Sequence, residues 1–245
     1  MEPKNTITSS VKNRIDTFKE GYVFSYLEFE EAAENAHAIV KALNRYDVKG
    51  IIHKLIKGKY YKPNTKDKRK KGPDKEEVIK DLLVKNGEII GYCTGLNEIH
   101  KNILPPNKTK VILIGRNTFK PPIKRGIYTI KFLFQKHVIT QENTEMLKVL
   151  DCLKLLKGIS VDARRDFLKS IAKVIRKFNK KERELLIKLS LKYPSSTRDL
   201  LMYVFEQEKF NGPLALIEEY RNPISDFNTG LKEIDKFLRD KYNGK

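Results

Sequence analysis

Between His37 and Lys62 lie residues whose types and spacing suit contact with a nucleic acid. His37, Lys41 and Asn44 recur at four- and three-residue intervals, so on a helix they share one face, where they could meet base edges or phosphates in a major groove. Arg45 falls on the flank of that face, where a guanidinium would clamp backbone phosphate. Lys54, Lys57, Lys59 and Lys62 follow on a segment that alternates about Lys57-Gly58, and cations on such a ribbon suit phosphates or an adjacent minor groove. The plainer reading stands beside this one. A lysine-rich hairpin also serves as a solvated edge guarded against strand addition, and His37 taken alone reads as an incidental surface histidine. Tyr60 and Tyr61 suit packing of the ribbon onto helices better than stacking on bases, and Tyr60 is read as structural.

The elements that must position these residues are legible in order. Ile39, Ala42, Leu43 and Tyr46 fall on the face opposite His37, Lys41, Asn44 and Val48, which predicts a helix over 35–48 with one face in a core. Gly50 stands where a left-handed C-cap is wanted, and residues 51–62 form a two-stranded ribbon. Upstream, Thr8, Ser9 or Ser10 can cap a first helix carrying Val11, Ile15 and Phe18 inward, with Gly21 as its stop. Ser25 and Glu28 have capping-box spacing, which predicts a second helix starting near Ser25. Three helices and a hairpin make a winged helix-turn-helix, completed before the linker 64–73, whose like charges repel and whose only apolar residue is its closing proline.

Charge supports a polyanionic partner. The 245 residues carry 50 Lys plus Arg against 31 Asp plus Glu, a formal +19, and a surplus of that size favours association with nucleic acid. Two segments hold it: residues 41–71 have a net charge of +10 and residues 101–136 a net charge of +9. The second segment, with Lys108, Lys110, Arg116, Lys120, Lys124 and Arg125, fits equally a second nucleic-acid surface and a solvated rim.

After Pro73 the pattern changes. A capped helix with Val78, Leu82 and Leu83 inward precedes strand-like residues 88–92, and Thr94 can cap a helix running to Leu104. Residues 110–115 form a continuous apolar run suited to a strand covered on both faces, and Tyr128, Ile130, Phe132 and Phe134 alternate like a half-buried one. Beyond Thr140 the period is helical throughout. The expected class is α+β: an amino-terminal winged helix-turn-helix (1–72), a mixed α/β middle region (73–140) and a mostly helical carboxyl-terminal region (141–245), with 73–245 forming one domain.

Catalysis is not expected. The phosphate-cradling and dinucleotide glycine motifs and the His-Glu-x-x-His zinc motif are all absent. Ser9 and Lys12 have Ser-x-x-Lys spacing, but at a helix cap this reads as local helix chemistry. Glu76, Glu77 and Asp81 read as the exposed side of a short helix rather than a metal site. Cys93 and Cys152 suit small core residues, and no cofactor or metal is expected. The polar start and the lack of an apolar run of membrane-spanning length predict a soluble, cytoplasmic chain without membrane contact.

The chain resembles the AbiEi-type antitoxin family, transcriptional regulators of bacterial type IV toxin-antitoxin systems, and its uncharacterised Bacteroidetes-type relatives. The resemblance is carried by Ser10-Val-Lys-Asn-Arg-Ile15, Gly21-Tyr-Val-Phe24, Val40-Lys-Ala-Leu-Asn-Arg45, Lys57-Gly-Lys-Tyr-Tyr-Lys-Pro63, Lys80-Asp-Leu-Leu83 and Ile90-Gly-Tyr-Cys-Thr-Gly95. It continues through Ile114-Gly-Arg116, Lys124-Arg-Gly126 and Lys192-Tyr-Pro-Ser-Ser-Thr-Arg198, nearly end to end. Tyr46-Asp47 departs from it, where a leucine-like residue would stand. The resemblance implies a winged helix that binds double-stranded operator DNA and represses its own operon. It also implies a carboxyl-terminal domain that neutralises a nucleotidyltransferase-like toxin, functionally rather than through a stable complex. The alternative from a different class is a general nucleic-acid-binding structural protein without antitoxin activity.

Overall fold

The computed structural model describes residues 6–64, 72–99, 110–220 and 227–243, so Lys108 and all but the ends of the 64–73 linker lie outside the described residues. The fold is α+β, and the chain divides into two compact units. One comprises residues 1–81 with 123–129, the other residues 82–122 with 130–245.

In the first unit, α1 (Ile7–Thr17) is capped by Thr6, whose hydroxyl accepts from the Ser9 amide, two residues earlier than the earliest cap expected from sequence. Gly21 adopts φ +83° at the stop. Strand β1 (Val23–Ser25) follows. The second helix expected at Ser25 is a single 3-10 turn over Tyr26–Glu28. Ser25 accepts from the Leu27 amide, but Glu28 accepts the Tyr22 hydroxyl at 2.6 Å instead of turning back to the Ser25 amide, so the reciprocal cap is not made.

Helix α2 (Ala32–Val48) starts one turn before the expected Asn35, which sits at a kink with φ −122° and ψ 25°. Its buried residues are Ile39, Ala42, Leu43 and Tyr46, the stripe that the 3.6-residue period selects. They close a core with Val11, Ile15, Phe24, Phe29, Ile52 and Tyr60. Each fully buried aliphatic or aromatic side chain contributes about 1.5–3 kcal/mol. Gly50, at φ +72°, releases the chain into β2 (His53–Ile56) and β3 (Lys59–Tyr61), with Gly58 at φ +78° in the turn. The sheet order is β1-β3-β2, all antiparallel.

The first unit does not close at residue 72. Helix α3 (Lys75–Leu83) packs on β1, where Glu77 accepts the Val23 amide and the Lys80 ammonium donates to the Val23 carbonyl. β1 is an edge strand, and α3 satisfies the backbone groups of Val23. The Lys80 ammonium also lies 4.2 Å from the centre of the Tyr22 ring. The expected boundary at 72 treated α3 as the start of another region. Its amphipathic pattern showed that it has an inner face, not which core that face meets.

In the second unit, β4 (Val84–Lys85) and β5 (Glu88–Ile89) form a hairpin, and β6 (Tyr92–Thr94) leads into α4 (Leu96–Ile99). The remainder of the helix expected through Leu104 lies outside the described residues. β7 (Val111–Arg116) lies between β6 and the later part of β9 (Tyr128–Phe134). β8 (Ile123–Arg125) and the start of β9 are grouped with the first unit.

The helical period after Thr140 yields α5 (Thr144–Leu155), α6 (Val161–Arg176), α7 (Lys180–Ser190), α8 (Ser195–Gln207), α9 (Ala215–Glu219) and α10 (Lys232–Asn243). Helix α5 is the hub: Met146, Leu147, Val149, Leu150, Cys152 and Leu153 are all buried in the larger core. Among the described residues, no helix is long and apolar enough to cross a membrane.

Candidate nucleic-acid interface

Helix α2 presents His37, Lys41, Asn44 and Arg45 to solvent, together with Val48, which is 89% exposed. On the hairpin, Lys54 and Lys57 are exposed as well. Among the described residues, none of the cations Lys41, Arg45, Lys54 and Lys57 has a carboxylate partner. Among the described residues their positive charge is therefore unpaired, and an anionic backbone would neutralise it.

The other three predicted contacts are engaged within the unit. The Lys62 ammonium donates to the carbonyls of Asp16 and Phe18, each at 2.8 Å, where it satisfies carbonyls at the carboxyl end of α1. Lys59 lies 2.8 Å from Asp81. Asn44 remains exposed but its side-chain oxygen accepts the Tyr60 hydroxyl at 2.7 Å, leaving the amide donors without a partner among the described residues. Tyr60 itself is 2% exposed, as its structural reading requires.

Tyr46 and Asp47 have local work. The Tyr46 hydroxyl donates to the Thr8 carbonyl, tying α2 to α1. Asp47 accepts the Lys54 amide at 2.9 Å and so orients the first strand of the hairpin on the helix end. The Ser9 and Lys12 pair serves α1, since the Ser9 hydroxyl donates to the Thr6 carbonyl and Lys12 pairs with Asp16.

Of the described cations in residues 101–136, which fit equally a second nucleic-acid surface and a solvated rim, two are buried. Arg125 is 5% exposed, and its guanidinium donates to both oxygens of Asp81 and to the Val78 carbonyl. Arg116 is 9% exposed. Lys110, Lys120 and Lys124 are exposed. Asp81, read from sequence as a solvated carboxylate, is the anionic partner of Arg125 and Lys59. Burial works to raise its pKa, but the hydrogen bonds from these two cations outweigh that effect and hold it below the ordinary carboxylate value.

A polar cluster in the second unit escaped sequence reading. Asp151, 1% exposed, accepts the Tyr92 hydroxyl at 2.7 Å and the Tyr193 hydroxyl at 2.8 Å. The Gln135 amide nitrogen donates to both phenol oxygens at 2.8 Å, and its carbonyl oxygen accepts the His137 amide. Burial pushes the Asp151 carboxyl up to about 6, against the lowering effect of the two phenols, and burial beside Asp151 raises both tyrosines. The available sequence signal was a carboxylate set directly between the apolar Leu150 and Cys152 in a helix. Gly115 is the permissive residue here. It stands opposite Tyr92 in the β6–β7 register, and a Cβ there would lie 2.4 Å from the ring.

Among the described residues, no group of three or more His, Cys, Asp or Glu side chains could hold a metal ion. No protein family, curated protein or solved structure matches this chain.

Proposed function

We propose that the first unit is a winged helix that binds duplex DNA, with α2 in the major groove and the β2–β3 turn against an adjacent backbone. The observation that carries this reading is the set Lys41, Arg45, Lys54 and Lys57, unpaired among the described residues, on one helix and its following hairpin. The same elements keep an apolar stripe in the core on the other side. The order of helix, strand, single 3-10 turn, helix and two-stranded ribbon supports the reading too, because a helix followed by a ribbon is what a wing requires. Lys41 and the amide donors of Asn44 would read base edges, Arg45 and Lys57 would hold phosphate, and Val48 offers an apolar contact for a thymine methyl.

The family resemblance extends the proposal to a transcriptional regulator that represses its own operon and acts as the antitoxin of a type IV, AbiE-like system in the cytoplasm. In that reading the second unit counters a nucleotidyltransferase-like toxin and the chain is not an enzyme. The alternative remains a general nucleic-acid-binding protein.

The full chain, titrated against the duplex upstream of its own gene and an unrelated duplex of equal length across a salt series, separates the two. A regulator prefers its own site by about 10³-fold or more. A salt slope without that preference identifies a general binder, and no binding to either duplex at low salt removes the DNA reading. Co-expression with the product of the neighbouring gene tests the antitoxin part: growth rescue supports it, and continued arrest counts against it.

A further inference from the structure

Three members of the polar cluster of the second unit line a cavity of about 230 Å³. Gln135, Asp151 and Tyr193 line it together with three lysines, Lys136, Lys154 and Lys192. All three lysines are exposed, and among the described residues none forms an ion pair. The one carboxylate in the lining is the buried Asp151, whose pKa is raised by burial and lowered in part by the charge of Lys154. Three cations against one carboxylate leave the cavity a net +2. Helix α8 adds to this field, because it begins at Ser195 directly after the wall residue Pro194 and no side chain caps it.

We propose that this cavity binds a phosphomonoester dianion of about mononucleotide size. The charge of such a group matches the +2 lining, and three lysine ammoniums around one concavity suit phosphate as point charges. The volume lies below the range of drug-sized pockets, which restricts the occupant to a small molecule or the end of a chain. Phe134, 48% exposed on the wall, offers a ring for a base. Every residue involved belongs to the second unit, so the proposal does not rest on the DNA reading. A free mononucleotide and the terminal phosphate of a strand present the same chemistry.

The test is calorimetric titration of the full chain at low salt with inorganic phosphate, AMP, adenosine and a tetranucleotide with and without a 5′-phosphate. Two variants accompany it: Lys154→Ala with Lys192→Ala, and the control Lys110→Ala with Lys120→Ala. AMP should bind at least about tenfold more tightly than adenosine, and the first pair of substitutions should cost about tenfold or more while the control pair costs little. Circular dichroism confirms that both variants are folded. AMP binding ahead of the phosphorylated tetranucleotide supports a free mononucleotide, and the reverse order supports a strand end. The proposal is overturned if adenosine matches AMP, if both variant pairs lose affinity equally, or if neither phosphate nor AMP binds at about 10 mM.

Discussion

The Lys59 ammonium lies 2.8 Å from the Asp81 carboxylate, so one of the two lysines flanking the hairpin turn is drawn back onto α3, while Lys57 on the other side has no carboxylate partner among the described residues. Sequence spacing treats the two as equivalent. The structure makes them different, and that difference can be measured.

Lys57→Ala should weaken binding to all duplexes alike and flatten the salt slope by about one unit, since one phosphate contact is lost. Lys59→Ala should leave the slope nearly unchanged. Titrations across a salt series for each single variant decide the matter. An equal loss of slope in both would mean that Lys59 leaves Asp81 for the phosphate.

Asn44 and Tyr60 form one hydrogen bond between α2 and the hairpin. Asn44→Ala and Tyr60→Phe should each lower stability by about 1 kcal/mol, and the double variant should cost less than the two together. Urea unfolding of the four proteins gives the coupling. Asn44→Ala should also alter sequence preference, which Tyr60→Phe should do far less, because Asn44 is exposed and Tyr60 is buried.

Asp81 makes the stability of the first unit sensitive to acid. Its pKa is depressed in the folded state, so its contribution to stability is present above the unfolded carboxylate value of about 3.9 and is lost as pH falls through the lower folded value. Asp81→Asn should therefore lose stability at neutral pH, by about 2 kcal/mol given that Arg125 is left buried beside a neutral amide and Asp81 is partly exposed. Its stability should converge with the native protein's below pH 4. Denaturant midpoints between pH 2 and 7 provide the comparison.

Asp151 carries the opposite sign. Its folded pKa is raised to about 6, so its contribution is fully present below about 3.9 and is lost as pH rises through about 6. The stability difference between the native protein and Asp151→Asn should therefore shift against the native protein over that window and level off above it. A flat difference from pH 4 to 7 would show that the carboxyl ionises as easily in the fold as in the unfolded chain.

What the sequence determined by itself is local. The apolar period of α2 selected Ile39, Ala42, Leu43 and Tyr46 for the core, and the opposite face followed without further information. Gly50 and Gly58 marked the helix stop and the hairpin turn because only a residue without Cβ adopts a positive φ there at little cost. The all-helical pattern after Thr140 likewise became α5 to α10. Tertiary structure decided how polar groups are spent. Whether Lys59, Lys62 and Arg125 face solvent or a partner depends on Asp81, Asp16 and Phe18, which are distant in sequence and carry no periodic mark. Ser25 and Glu28 had the spacing of a capping box, yet the Tyr22 hydroxyl took the carboxylate and left one 3-10 turn. Tyr92 in β6, Gln135 just after β9, Asp151 in α5 and Tyr193 between α7 and α8 come from four separate stretches of the chain, and only folding brings them to one buried carboxylate. Periodicity reports which face of an element is apolar; the partner of a charged or hydrogen-bonding group is set by long-range packing, which no local spacing encodes.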